Sequence, residues 1–151
     1  MKRTFLAFLT VVAISGFAGA ADKSLQLKDL PAAVQKTVQD TLKGAEIKNI
    51  SKEVEKGVTQ YEVETMLDGK HRDFEVDTTG KLLVVEEEAD IAGIPAAAKA
   101  AIEKKVAGGK LVKVETVDKG DGVTLYEASF TSKAGKKGSI LVKADGTETK
   151  D

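Results

Sequence analysis

Apolar positions along this chain alternate between two periods. Val34, Val38 and Leu42, with Thr41 beside them, recur at helical spacing after Pro31, and Gly44 stops the run. Pro31 suits a first helical position, because the N–H it lacks would have no partner there. Ala98, Ile102 and Val106 repeat that stripe between Pro95 and Gly108-Gly109, among alanines that permit close approach to a sheet. The intervening segments read as strands. Glu46 to Val54 alternates imperfectly, which points to a bulge near Ile50, and Lys81 to Val85 runs into Glu86-Glu87-Glu88. After the second helix come Leu111 to Val117, Thr124 to Thr131 and Ser139 to Lys143, with a fourth strand short or absent beyond Asp145-Gly146.

Asp68-Gly69, between Leu67 and Lys70, is a two-residue hairpin signal, because both residues tolerate the positive φ of a turn that matches strand twist. Placing Leu67 opposite Lys70 sets Phe74 against Val63 and Val76 against Tyr61. Apolar meets apolar, which supports the register independently of the turn.

Most of these landmarks return later in the chain. Ile94-Pro95-Ala96-Ala97-Ala98 matches Leu30-Pro31-Ala32-Ala33-Val34, and Val123-Thr124-Leu125-Tyr126-Glu127-Ala128 matches Val58-Thr59-Gln60-Tyr61-Glu62-Val63. The offset lengthens only near Gly120-Asp121-Gly122 and Lys133-Ala134-Gly135, where turns are expected. The fold expected is α+β and a tandem repeat, each copy one helix packed on an antiparallel three- or four-stranded sheet. The first copy would span residues 30–91 and the second 92–151, after a lead-in at 21–29. Each copy alone is near the size at which one core becomes marginal, so one folded body is expected.

Residues 1–20 read as an export signal: Lys2-Arg3, an apolar run from Phe5 to Ile14, then Ala18-Gly19-Ala20. The run is short for a bilayer span, so no membrane association is expected after cleavage. The remaining chain has 21 basic against 24 acidic residues, a mild net charge of −3 that carries no nucleic-acid footprint. With no cysteine, the chain has no disulfide, thiolate nucleophile or thiolate metal site.

The hairpin register has one chemical consequence. Glu64 falls opposite Asp73 and Glu62 opposite Glu75, so four carboxylates share a face, with the single histidine, His71, near its rim. Like charges directly opposed are unfavourable. One interpretation is an acidic patch for a basic partner or a cation. The other is a solvated outer face offset by Lys48, Lys52 and Lys81. Glu86-Glu87-Glu88 with Asp90 lacks the spaced ligands and central glycine of a calcium loop, and reads as an acidic linker between copies. His71 has no nucleophile converging on it, the glycines form no phosphate-cradling loop, and Tyr61 and Tyr126 read as core residues. No catalytic residue, metal site or cofactor is expected.

Leu30-Pro31-Ala32-Ala33-Val34, Gly44-Ala45-Glu46-Ile47, Tyr61-Glu62-Val63-Glu64 with Asp68-Gly69-Lys70, and Phe74 to Leu82 together resemble the PepSY-like, β-lactamase-inhibitor-like group of exported bacterial proteins. The resemblance implies helices laid across antiparallel sheet, tandem copies that can align into a longer curved sheet, and restraint of secreted peptidases or binding of enzymes through the open sheet face. The chain departs from the tandem inhibitors in having no cysteine and carries no attached peptidase. The function expected is therefore a non-enzymatic periplasmic or secreted module for a protein or peptide, a peptidase or other hydrolase among them, with Glu62, Glu64, His71, Asp73 and Glu75 as contact residues. The alternative is a metal-ion or small-ligand binder using the same acidic hairpin.

Overall fold

The computed structural model describes residues 24–55 and 57–150, so the expected export signal lies outside the described residues. Helix α1 spans Ala32–Leu42 and α2 spans Ala96–Val106. The strands are β1 (Glu46–Glu55), β2 (Val58–Leu67), β3 (Lys70–Asp77), β4 (Leu82–Glu88), β5 (Lys110–Asp118), β6 (Thr124–Thr131), β7 (Lys137–Lys143) and β8 (Glu148–Thr149). Each proline stands at the N-cap, one residue before the first helical position expected for it, and α1 ends where Lys43 and Gly44 both turn left-handed.

The two-copy expectation is corrected by the strand pairing. The strands form one eight-stranded antiparallel sheet in the order β1 to β8, carrying two helices, in place of two helix-plus-sheet copies. The decisive contact is β4 with β5, where Val85, Glu86, Glu87 and Glu88 pair with Asp118, Val117, Thr116 and Glu115. Glu86-Glu87-Glu88 is thus the end of a central strand and no linker. A strand paired on both sides leaves no sheet edge at which a first copy could end.

Backbone proximity groups the chain into two compact units, residues 24–88 with 115–124 and residues 89–114 with 125–150, so β5 contributes to both. In the first unit Val34 and Val38 of α1 are buried against Ile50, Val63, Phe74 and Val76, with Leu30 and Tyr61 closing the cluster. In the second, Ala98 and Ile102 of α2 meet Val114, Ala128, Ile140 and Val142, with Tyr126 and Phe130 packed beside them.

Two turns show why small residues matter at the helix starts. Gly80 has φ +87°, and a Cβ there would lie 2.7 Å from the Ala33 carbonyl oxygen. Thr37 Oγ1 donates to the Gly80 carbonyl at 2.5 Å, tying α1 to the β3–β4 turn. Gly146 repeats the arrangement in the second unit, with φ +82° and a Cβ that would lie 2.6 Å from the Ala97 carbonyl oxygen. Any side chain at either glycine would push the helix off the sheet.

Candidate functional site

The register inferred from Asp68-Gly69 is the observed one. Leu67 pairs with Lys70, Met66 with His71, Val63 with Phe74, Glu62 with Glu75 and Tyr61 with Val76. Because Tyr61, Val63, Phe74 and Val76 face α1, strand alternation puts Glu62, Glu64, Asp73 and Glu75 on the opposite, open face. Between the Val63–Phe74 and Met66–His71 pairs, side chains join the ladder. The Asp73 carboxylate accepts the Thr65 backbone N–H at 2.8 Å, and the Thr65 hydroxyl donates to the Arg72 carbonyl.

Tertiary pairing enlarges this face beyond the expected set. A one-residue bulge at Lys48, between the Ile47–Thr65 and Asn49–Glu64 pairs, lets Ile47 and Ile50 both point inward while Asn49, Ser51 and Glu53 point outward. Asn49 Nδ2 donates to Glu64 at 3.0 Å, Ser51 Oγ to Glu62 at 3.4 Å, and Gln60 Nε2 to Glu75 at 3.0 Å. On the other flank Asp73 pairs with Glu86, and the His71 backbone N–H donates to Glu88 at 3.3 Å. The glutamate run therefore serves two faces: Glu86 and Glu88 join the carboxylates, while Glu87 turns toward α1.

On that helix side Glu87 accepts from Arg72 Nε at 2.7 Å, and Arg72 Nη1 donates to the Thr41 carbonyl at 2.7 Å. Arg72 is buried, with its guanidinium 6.0 Å from the centre of the Phe74 ring. It satisfies a carbonyl of the last turn of α1 that has no partner within the helix. It is a structural clamp outside the set of residues expected from the sequence.

The lysines expected to offset the carboxylates do not stand opposite them. Lys48 pairs with Glu46 at 2.7 Å, Lys52 lies opposite Tyr61 and so on the helix side, and Lys81 donates its backbone N–H to Asp77 at the β3–β4 turn. Among the described residues, no paired position on this face from Asn49, Ser51 and Glu53 across β2 and β3 to Glu86 and Glu88 carries a lysine or arginine; beyond Glu88 the face closes, with Glu115 and Val117 buried. The Asn49, Ser51 and Gln60 side chains that reach Glu64, Glu62 and Glu75 are neutral amide and hydroxyl donors, which orient these carboxylates. Burial, followed by the charges of Glu53, Glu64 and Glu75, pushes the Glu62 carboxyl up to about 7.

His71 is exposed, with Nδ1 3.9 Å from Asp73 Oδ2, too far for a hydrogen bond. Among the described residues no three acidic or histidine side chains converge on a point that could hold a metal ion.

Comparison of the whole fold adds one finding. The chain has a BLIP-like fold. It superposes on a protein from Bacteroides fragilis described as BLIP-like with a TM-score of 0.60 at 20% identity, covering 80% of this chain and 83% of that one. A protein assigned to the periplasm of Bacteroides eggerthii gives a TM-score of 0.66 at 15% identity, over 80% and 86% of the two chains. A DUF2874 family protein from Bacteroides uniformis gives 0.65 at 15% identity, again over 80% and 86%. At such identities the likeness is one of fold. No family model and no curated protein matches the sequence.

Proposed function

We propose that this protein is a non-enzymatic periplasmic binding module whose open sheet face docks a basic surface of a protein or peptide. The observation that carries the reading is the face itself: Glu62, Glu64, Asp73 and Glu75 held side by side on two paired strands, with no lysine or arginine at the paired positions. A sheet surface can offer side chains from several strands to one partner without a pocket. Glu64 and Asp73 form the centre of the contact set, with Glu62 and Glu75 beside them and His71 at the rim. The likeness in fold to a BLIP-like protein supports a protein partner, and a secreted hydrolase or peptidase is the class we favour. The likeness to a protein assigned to the periplasm supports the same compartment.

The test maps an interaction onto the face. Titrating the isotope-labelled protein with a lysine-rich peptide at low salt is expected to shift backbone resonances of β2 and β3 at their outward positions. The effect should weaken as salt screens the charges. A Glu64→Lys, Asp73→Lys variant should lose the response and should recover less from a periplasmic extract than the wild-type protein. Shifts confined to the helices, or extract recovery unchanged by the charge reversal, would defeat the proposal.

A further inference from the structure

The terminal strand of the sheet, β1, has an edge with no strand beside it among the described residues, and the short lead-in before α1 lies against that edge. The Leu25 N–H donates to the Ile50 carbonyl at 2.9 Å, so the backbone groups of Ile50 face outward from the sheet. Strand alternation then aims the N–H and C=O groups of Lys52 and Val54 the same way, because pairing with β2 is regular from Asn49 to Glu55.

The lead-in is anchored at several points. Leu25 and Leu27 pack against the cluster under α1. A 3-10 turn at Leu27–Asp29 is closed by Asp29 Oδ2 accepting the Gln26 N–H at 3.0 Å. Ser24 Oγ donates to Asn49 Oδ1 at 2.9 Å, and Asn49 in turn donates to Glu64, so the same anchor reaches the carboxylate face.

What the lead-in guards against is visible in β1. Val54 is 68% exposed and Val58, across the hairpin, is 56% exposed. A long edge with outward-facing backbone groups that pair with no strand among the described residues, and with an exposed β-branched residue in Val54, invites pairing with another strand. Natural edges are blunted by bulges and by covering segments, and β1 has both: the bulge at Lys48 and the lead-in at Ile50.

We propose that residues 24–27 are a strap that occupies the β1 edge and prevents a second copy of this chain from pairing there. The strap covers the edge at its middle, where β1 is also fixed to the core through Ile50. An incoming strand would need that stretch for a continuous ladder. Displacing the strap opens the run from Ile50 to Val54 to an antiparallel partner β1.

The experiment compares the wild-type chain with a Leu25→Pro, Leu27→Ser variant by sedimentation velocity over a range of concentrations. Proline removes the donor to Ile50, and serine removes an apolar anchor. Self-association is expected to tighten by about tenfold or more relative to wild type, which is about 1.4 kcal/mol. Adding Val54→Pro deletes an outward N–H without breaking the β1–β2 ladder and should return the variant to wild-type behaviour. A synthetic peptide of residues 21–29 should reverse the association in the same way. Leu25→Pro alone serves if the double variant does not fold. Hydrogen exchange at Lys52 and Val54 reports whether the strap has left. Association that Val54→Pro does not relieve would overturn the proposal, as would a released strap with no association, or a strap that stays in place without these contacts.

Discussion

Glu62 makes stability depend on pH with a sign opposite to that of most carboxylates. Its pKa in the folded chain is raised from 4.5 to about 7, first by burial and then by Glu53, Glu64 and Glu75. Between those values the folded protein keeps a proton that the unfolded chain has released. The contribution of this group is therefore complete below pH 4.5 and is lost as pH rises through about 7. At about 1.4 kcal/mol per pH unit, that span would give about 3 kcal/mol for a fully shielded carboxyl. Glu62 is only half-buried, and solvent screening brings the expected effect down to on the order of 1 kcal/mol. Glu62→Gln supplies a permanently neutral group of the same shape. In urea titrations at pH 5 and pH 8, the variant should match the wild type at the lower pH and exceed it by about 1 kcal/mol at the higher. In a chain of this size, that corresponds to about 2–4 °C in melting temperature at pH 8. Equal pH dependence in the two proteins, or a variant less stable at pH 8, would refute the reasoning.

Other outcomes follow from the same geometry. Arg72→Met removes the donors to the Thr41 carbonyl and Glu87, and should cost about 2–3 kcal/mol in chemical denaturation. Arg72→Lys should restore little of that, because one ammonium cannot reproduce the planar, forked donor set. Gly80→Ala should destabilise more than Gly120→Ala: both glycines have positive φ, but only at Gly80 would the new Cβ meet a backbone oxygen. The excess, of about 1 kcal/mol or more, isolates the collision from the backbone strain. Phe74→Ala should cost about 3–5 kcal/mol and lower the unfolding midpoint sharply, since Phe74 is fully buried against α1.

The helix stripes, the strand segments and the β2–β3 register were legible in the residues because each rests on a local rule. Helical spacing placed Val34, Val38 and Ile102 in the core, and Asp68-Gly69 set the cross-strand partners of Leu67, Met66, Val63, Glu62 and Tyr61. The acidic face followed from that register alone. Its neighbours did not. Asn49, Ser51 and Glu53 were hidden by the bulge at Lys48, which reverses the alternation of β1 and makes its sequence pattern ambiguous. Arg72 looked like one more surface charge in a polar hairpin, and only the arrival of the last turn of α1 gave its guanidinium a buried partner.

The joining of the whole sheet lay beyond sequence patterns for a related reason. The similar landmarks around Leu30 and Ile94 predict two copies, yet β4 pairs with β5 through backbone groups, which carry no side-chain signature. Three consecutive glutamates look like a solvated linker until a strand on each side supplies hydrogen bonds and divides the side chains between two faces. Amino-acid order by itself therefore determined the elements, the turns and the sign of the charge on the open face. Tertiary structure decided which strands meet, how far that face extends and what covers its edge, because non-local pairing depends on where the backbone travels after each turn.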